Sequence, residues 1–207
     1  MDIYLIAIIA INCIVSFKGF NDLIFFRKYE FHVGSIRAGE QFRMLSSGFL
    51  HVDVAHLAFN MITLWMFAPY VILYLGNFTF LLLYIFSLAF GNLLSLLIHK
   101  NEYYYRAVGA SGAVVGVVFS GILVEPNLQI WFMPGYIFGI IYLLYSIYGM
   151  KNRADNIGHT AHFGGAIGGY VLTLIKLPQL IQVETFTVAV LALPILLLFI
   201  LIKIGKL

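Results

Sequence analysis

Acidic and basic residues are missing from six long stretches of this 207-residue chain, and their absence constrains its fold more than any other feature. The stretches are residues 3–17, 54–99, 107–124, 126–150, 156–175 and 185–202, two thirds of the sequence. A helix crosses a bilayer with about 20 apolar residues. The window 54–99 is long enough for two such helices, and Gly76-Asn77 is its natural break. Seven spans result. The first is short and runs on to about Phe20, with Lys18 snorkelling to the interface. With 62% hydrophobic and 10% charged residues, the chain cannot cover a soluble globule, for which about 25% charged is usual. The same balance excludes disorder. The expected fold class is an all-α polytopic membrane protein.

Composition removes other functions. A net charge of +3 is too small to suggest a nucleic-acid partner. One cysteine, Cys13, excludes an intrachain disulfide and a cysteine-based zinc site. Asp2 stands where a secretory signal carries basic residues, and no small-residue cleavage site follows, so the first segment reads as a retained helix. Residues 21–50 read as a long loop mixing Phe25, Phe26, Tyr29, Phe31 and Phe42 with Arg27, Lys28, Arg37 and Arg43. That mixture suits a membrane interface. Residues 100–106 and 151–155 read as short connections, and Glu125-Pro126-Asn127 and Pro178 as turns.

Three constellations carry chemistry. Gly109-Ala110-Ser111-Gly112 opens the fourth span. Gly112 and Gly116 suit close helix packing. Equally, Ser111 at a helix N-terminus would have free N–H groups and the positive dipole end beside it, ready for an oxyanion. His162 lies near the start of the sixth span, with Gly165 and Gly169 on its face at i+3 and i+7. A histidine inside hydrocarbon is a functional candidate by default. His159 instead reads as a helix-end histidine bonded to a carbonyl. His56 and Asn60, at i and i+4 on the second span, are either interhelical hydrogen-bond partners or donors to an oxyanion. His51 lies off that face, at the start of the helix, with Asp53 as a cap. No metal-ligand spacing is present. Spans 2, 4 and 6 run the same way, so all these groups fall at one depth below one surface.

In this order, the residues resemble the rhomboid family of intramembrane serine proteases. The match includes His51-x4-His56-x3-Asn60, Gly109-x-Ser111-Gly112 and Ala161-His162-x-x-Gly165, with Phe42-Arg43 as the aromatic-Arg pair of the first loop. The resemblance implies a six-helix bundle over residues 1–183 and one additional C-terminal helix over 184–207. It implies Ser111 as nucleophile and His162 as base in a Ser–His dyad. His56, Asn60 and the Ser111 N–H would form the oxyanion hole. His51 and Arg43 would support the loops, and Gly165 and Gly169 would bring span 6 against span 4. No cofactor is implied. The implied partners are single-span membrane substrates within the lipid bilayer, and the implied location is a bacterial inner membrane. Two positions depart from the family pattern. Ile72 replaces a glutamate that pairs with the loop arginine, and Val115 replaces an aromatic that stacks on the histidine.

Two rivals stand beside the protease reading. One is an inactive rhomboid-like binder of membrane helices. The other is a small transporter using Asn60, Asn92 and His56 along a path; against it, Ser87, Gly91 and Ser95 read as a packing stripe. Eleven Lys and Arg residues fall on the active-site side and only Lys176 opposite. The positive-inside rule places that side in the cytoplasm, whereas the family resemblance implies the opposite face.

Overall fold

The computed structural model describes residues 2–152 and 158–206. Helix α1 (Ile3–Asn21) begins where Asp2 Oδ1 accepts the N–H groups of Tyr4 and Leu5 at 2.9 and 3.1 Å, a side-chain cap for donors with no intrahelical partner. The chain continues through α2 (Leu23–Tyr29), β1 (Phe31–His32), α3 (Val33–Arg37), α4 (Arg43–Ser46) and a tight turn at Ser47–Phe49. Helix α5 (Val54–Leu75) is capped by Asp53, whose Oδ1 accepts from the His56 N–H at 2.7 Å. It stops at Gly76, whose φ of +78° suits a residue without Cβ. Helix α6 (Asn77–Ile98), β2 (Arg106–Ala107) and α7 (Ser111–Val124) follow. Next come the hairpin strands β3 (Gln129–Ile130) and β4 (Met133–Pro134), then α8 (Gly135–Asn152) and α9 (His159–Lys176). The short α10 (Leu180–Val183) leads into α11 (Thr185–Lys203).

Helices α1, α5, α6 and α11 are long and apolar enough to cross a membrane. Helix α7 is different. Its 14 residues rise about 21 Å, less than the roughly 30 Å of a hydrocarbon core. Every residue from Gly112 to Val124 is buried, sheathed by α5, α6 and α9. A helix hidden on all sides can be short, because its neighbours rather than lipid surround it.

Small residues set the spacing of this central layer. A Cβ built on Gly165 would collide with the Gly112 carbonyl, and one on Gly169 with the Gly116 carbonyl. On the α6 side, a Cβ at Gly91 would stand 2.5 Å from the Ala161 oxygen. The backbones of α6, α7 and α9 therefore touch directly. The Thr173 hydroxyl, buried, donates to the Gly169 carbonyl at 2.7 Å and lies 2.7 Å from Ser120 Oγ, which bonds α9 to α7. Helix α11 docks on α8, where Tyr136 and Phe186 meet edge to face at 5.3 Å, and the Tyr170 hydroxyl of α9 donates to the Val188 carbonyl at 2.9 Å.

Several expected boundaries shift. Residues 21–50 are not an open loop but three short helices, a strand and a turn. Strand β1 pairs with β2, so the connection after α6 is clasped to this segment. Arg43 needs no partner at Ile72. Its Nε donates to Glu40 at 2.6 Å, and its Nη1 donates to the carbonyls of Arg27 and Glu30 at 2.8 and 3.0 Å. Glu30, itself buried, accepts from Arg27 and Arg106, which neutralises a carboxylate that burial alone would penalise. The fourth span begins at Ser111 rather than 107, because residues 106–107 join the β1–β2 pair. The fifth begins at Gly135 rather than 126. The Leu128 N–H donates to the Glu125 carbonyl at 2.9 Å, closing the expected turn, and the β3–β4 hairpin follows. The connection 151–155, with Asp155, lies partly outside the described residues.

Candidate active site

Helices α5, α7 and α9 present their N-terminal ends to one another. Ser111 is the first residue of α7, where backbone N–H groups lack intrahelical acceptors and the dipole is positive. Its hydroxyl lies 2.7 Å from His162 Nε2, one turn into α9. The seam described above allows this approach, since a Cβ on Gly112 would stand only 3.1 Å from the Ala161 carbonyl oxygen. Gly109 has a φ of +132°, and a Cβ there would lie 2.7 Å from His56 Cε1. The turn before Ser111 thus brings bare backbone against the His56 ring, where a side chain would be both strained and obstructed. His56 Nδ1 is buried with no hydrogen-bond partner among the described residues.

Asn60 is buried one turn below His56, and its Nδ2 donates to the His56 carbonyl at 3.0 Å. That bond uses one of its two N–H groups. His51, which precedes α5, is fully buried. The Ala110 N–H is a donor only, so the 3.3 Å contact to His51 Nε2 makes that nitrogen an acceptor. The proton then sits on Nδ1 and is donated to Ser16 Oγ at 2.8 Å, while that hydroxyl donates to the Phe49 carbonyl at 3.0 Å. This chain ties α1 and the turn at Ser47–Phe49 to the residue before the serine. It requires a neutral imidazole. Burial, and secondarily the His56 ring, push His51 down from 6.5 to about 3, against an upward pull from Asp53. The Gly109 N–H donates to the Ser47 carbonyl at 3.0 Å and fixes the same turn from its other end.

Sequence reasoning missed two groups. Ser16 gives no signal, being one small residue among the apolar ones of α1. Tyr142 on α8 is the second. Its hydroxyl lies 2.9 Å from His162 Nδ1, with the two rings inclined by 26°. It is one of four tyrosines on α8, and nothing in their spacing separates it from the others. His159, expected at a helix end, is the first residue of α9; its buried ring packs against Gly149 and edge-on to Tyr145 at 5.2 Å.

The Rhomboid domain model matches residues 38–179. The chain belongs to the rhomboid family. Among relatives, the protein named Rhomboid protease GluP of Bacillus subtilis is 32% identical over 135 residues, covering 65% of this chain and 26% of that protein. RHOMBOID-like protein 12, mitochondrial, of Arabidopsis thaliana is 24% identical over 172 residues, 73% of this chain and 51% of its own. Presenilin-associated rhomboid-like protein, mitochondrial, of Homo sapiens is 31% identical over 134 residues, 61% of this chain and 35% of its own. The rhomboid chain here therefore spans between a quarter and a half of the length of these curated relatives. Family membership and the apolar helices make it an integral, multi-pass membrane protein.

Proposed function

We propose that this rhomboid is a serine endopeptidase that cleaves transmembrane segments by a Ser–His dyad. The observation that carries the reading is the 2.7 Å approach of Ser111 Oγ to His162 Nε2 at the N-terminus of a buried helix. The Ser111 proton passes to Nε2 as Oγ bonds to a peptide carbonyl carbon. Negative charge then develops on the carbonyl oxygen. The first N–H groups of α7, with His56 and Asn60, are the donors assigned to it. Collapse breaks the C–N bond, and the leaving amine takes the proton from His162. Water, deprotonated by the same nitrogen, cleaves the ester and returns Ser111. The substrate helix must first unwind locally, since its carbonyls are otherwise paired within the helix. Single-span membrane proteins in a bacterial inner membrane are the substrates this mechanism suits.

Purified protein in liposomes with a single-span reporter tests the reading. Ser111→Ala and His162→Ala should each lower cleavage about 10³-fold or more. His56→Ala should lower it about 10²-fold. Parental cleavage by either dyad variant overturns the assignment. A parent that binds the reporter without cutting it makes the chain a helix-binding pseudoprotease instead.

A further inference from the structure

His162 has two ring nitrogens, and only one faces the serine. To act as a base, Nε2 must carry a lone pair and accept the Ser111 hydroxyl. The proton of the neutral ring then belongs to Nδ1. The proton is held there only if something accepts it, because the alternative tautomer would put N–H on Nε2 and silence the base. Among the groups described here, the Tyr142 hydroxyl is 2.9 Å from Nδ1. Tyr142 is itself held by two rings. Phe138 stacks on it at 5.8 Å, and Phe119 of α7 lies tilted at 6.5 Å.

The geometry points to Tyr142 as a positioning residue for the dyad, its hydroxyl oxygen accepting the Nδ1–H of His162 and fixing the tautomer that leaves Nε2 free to take the serine proton. This rests on the Ser–His reading above. A phenol suits the site because it is neutral. It orients the imidazole without bringing a carboxylate into an apolar bundle, where an ionised group is costly. It also accepts from the imidazolium formed during each step, since Nδ1 keeps its proton throughout. Because Tyr142 sits on α8, the base is aligned by a helix other than the two that carry the dyad.

Tyr142→Phe keeps the ring and removes the acceptor. In liposomes with the single-span reporter, kcat should fall about 10-fold with KM unchanged. The melting temperature should stay at the parental value, because the ring packing is intact. Nitrogen-15 resonances of His162 in the Ser111→Ala background give a readout independent of turnover. With Tyr142 present they should show one Nδ1–H tautomer, and with Phe a mixture. Parental kcat in Tyr142→Phe overturns the inference, as does an Nε2–H tautomer with Tyr142 in place. So does a loss of activity that follows a lowered melting temperature while the tautomer stays the same. Failure of the dyad itself looks different, because Ser111→Ala would then cleave like the parent.

Discussion

Helix α9 is held differently on its two flanks. Toward α6 and α7 it presents glycines, and backbone meets backbone; toward α8 it meets rings, through Tyr145 on His159 and Tyr142 on His162. The first contact fixes distance, because a carbonyl cannot move aside for a Cβ. The second fixes orientation, because a ring and its hydroxyl act on an imidazole through direction. The serine-to-histidine distance belongs to the first flank and the histidine tautomer to the second.

Substitutions separate the two. Gly165→Ala should have the largest effect, since its methyl meets the Gly112 carbonyl with nothing flexible between. We expect a loss of about 3 kcal/mol in denaturant unfolding and no measurable cleavage. A folded, active Gly165→Ala would end the argument that backbone contact sets the dyad distance. His51→Ala should cost about 2–3 kcal/mol, because the Ala110 N–H and Ser16 lose a buried partner. The parent's acid sensitivity checks the same bond. Native His51 stays neutral down to about pH 3 while the unfolded chain takes a proton near 6.5. Its contribution is therefore complete above pH 6.5 and is lost as pH falls from there toward 3. Melting curves should show a shallower acid dependence for His51→Ala than for the parent.

Smaller effects test where glycine ceases to matter. Gly139→Ala on α8 would meet the Leu191 side chain at 2.7 Å, and a leucine can change rotamer. About 1 kcal/mol or less is expected, with cleavage retained. Gly121→Ala on α7 finds its nearest atom, Phe67 Cδ1, at an ordinary 3.5 Å, and should be neutral within about 0.5 kcal/mol. If Gly121→Ala were as damaging as Gly165→Ala, close backbone contact would not be what distinguishes the α7–α9 seam.

Most of the spanning layout was legible because charge is excluded from lipid wherever a helix crosses it. Gly76 marked the break between α5 and α6, and Asp53 marked the start of α5, which it caps. The boundaries that moved share one cause. Residues 126–134 carry no charge, yet they form a turn and a hairpin, and a charge-free window cannot tell hairpin from helix. The fold of residues 21–50 was hidden because Arg43 is anchored by main-chain carbonyls, which no sequence pattern reveals. Ser111 and His162 stood out as candidates because glycines flank them in the sequence, whereas His56 stood out through its i, i+4 spacing to Asn60. Tyr142 was not, because its position depends on how α8 faces α9 across a connection.

The central claim is that Ser111 is activated by His162. Labelling the protein in liposomes with a fluorophosphonate and locating the adduct by mass spectrometry tests it most directly. The adduct should map to Ser111, form in the parent and fall to background in His162→Ala. An adduct on another residue, or equal labelling of Ser111 without His162, would contradict it.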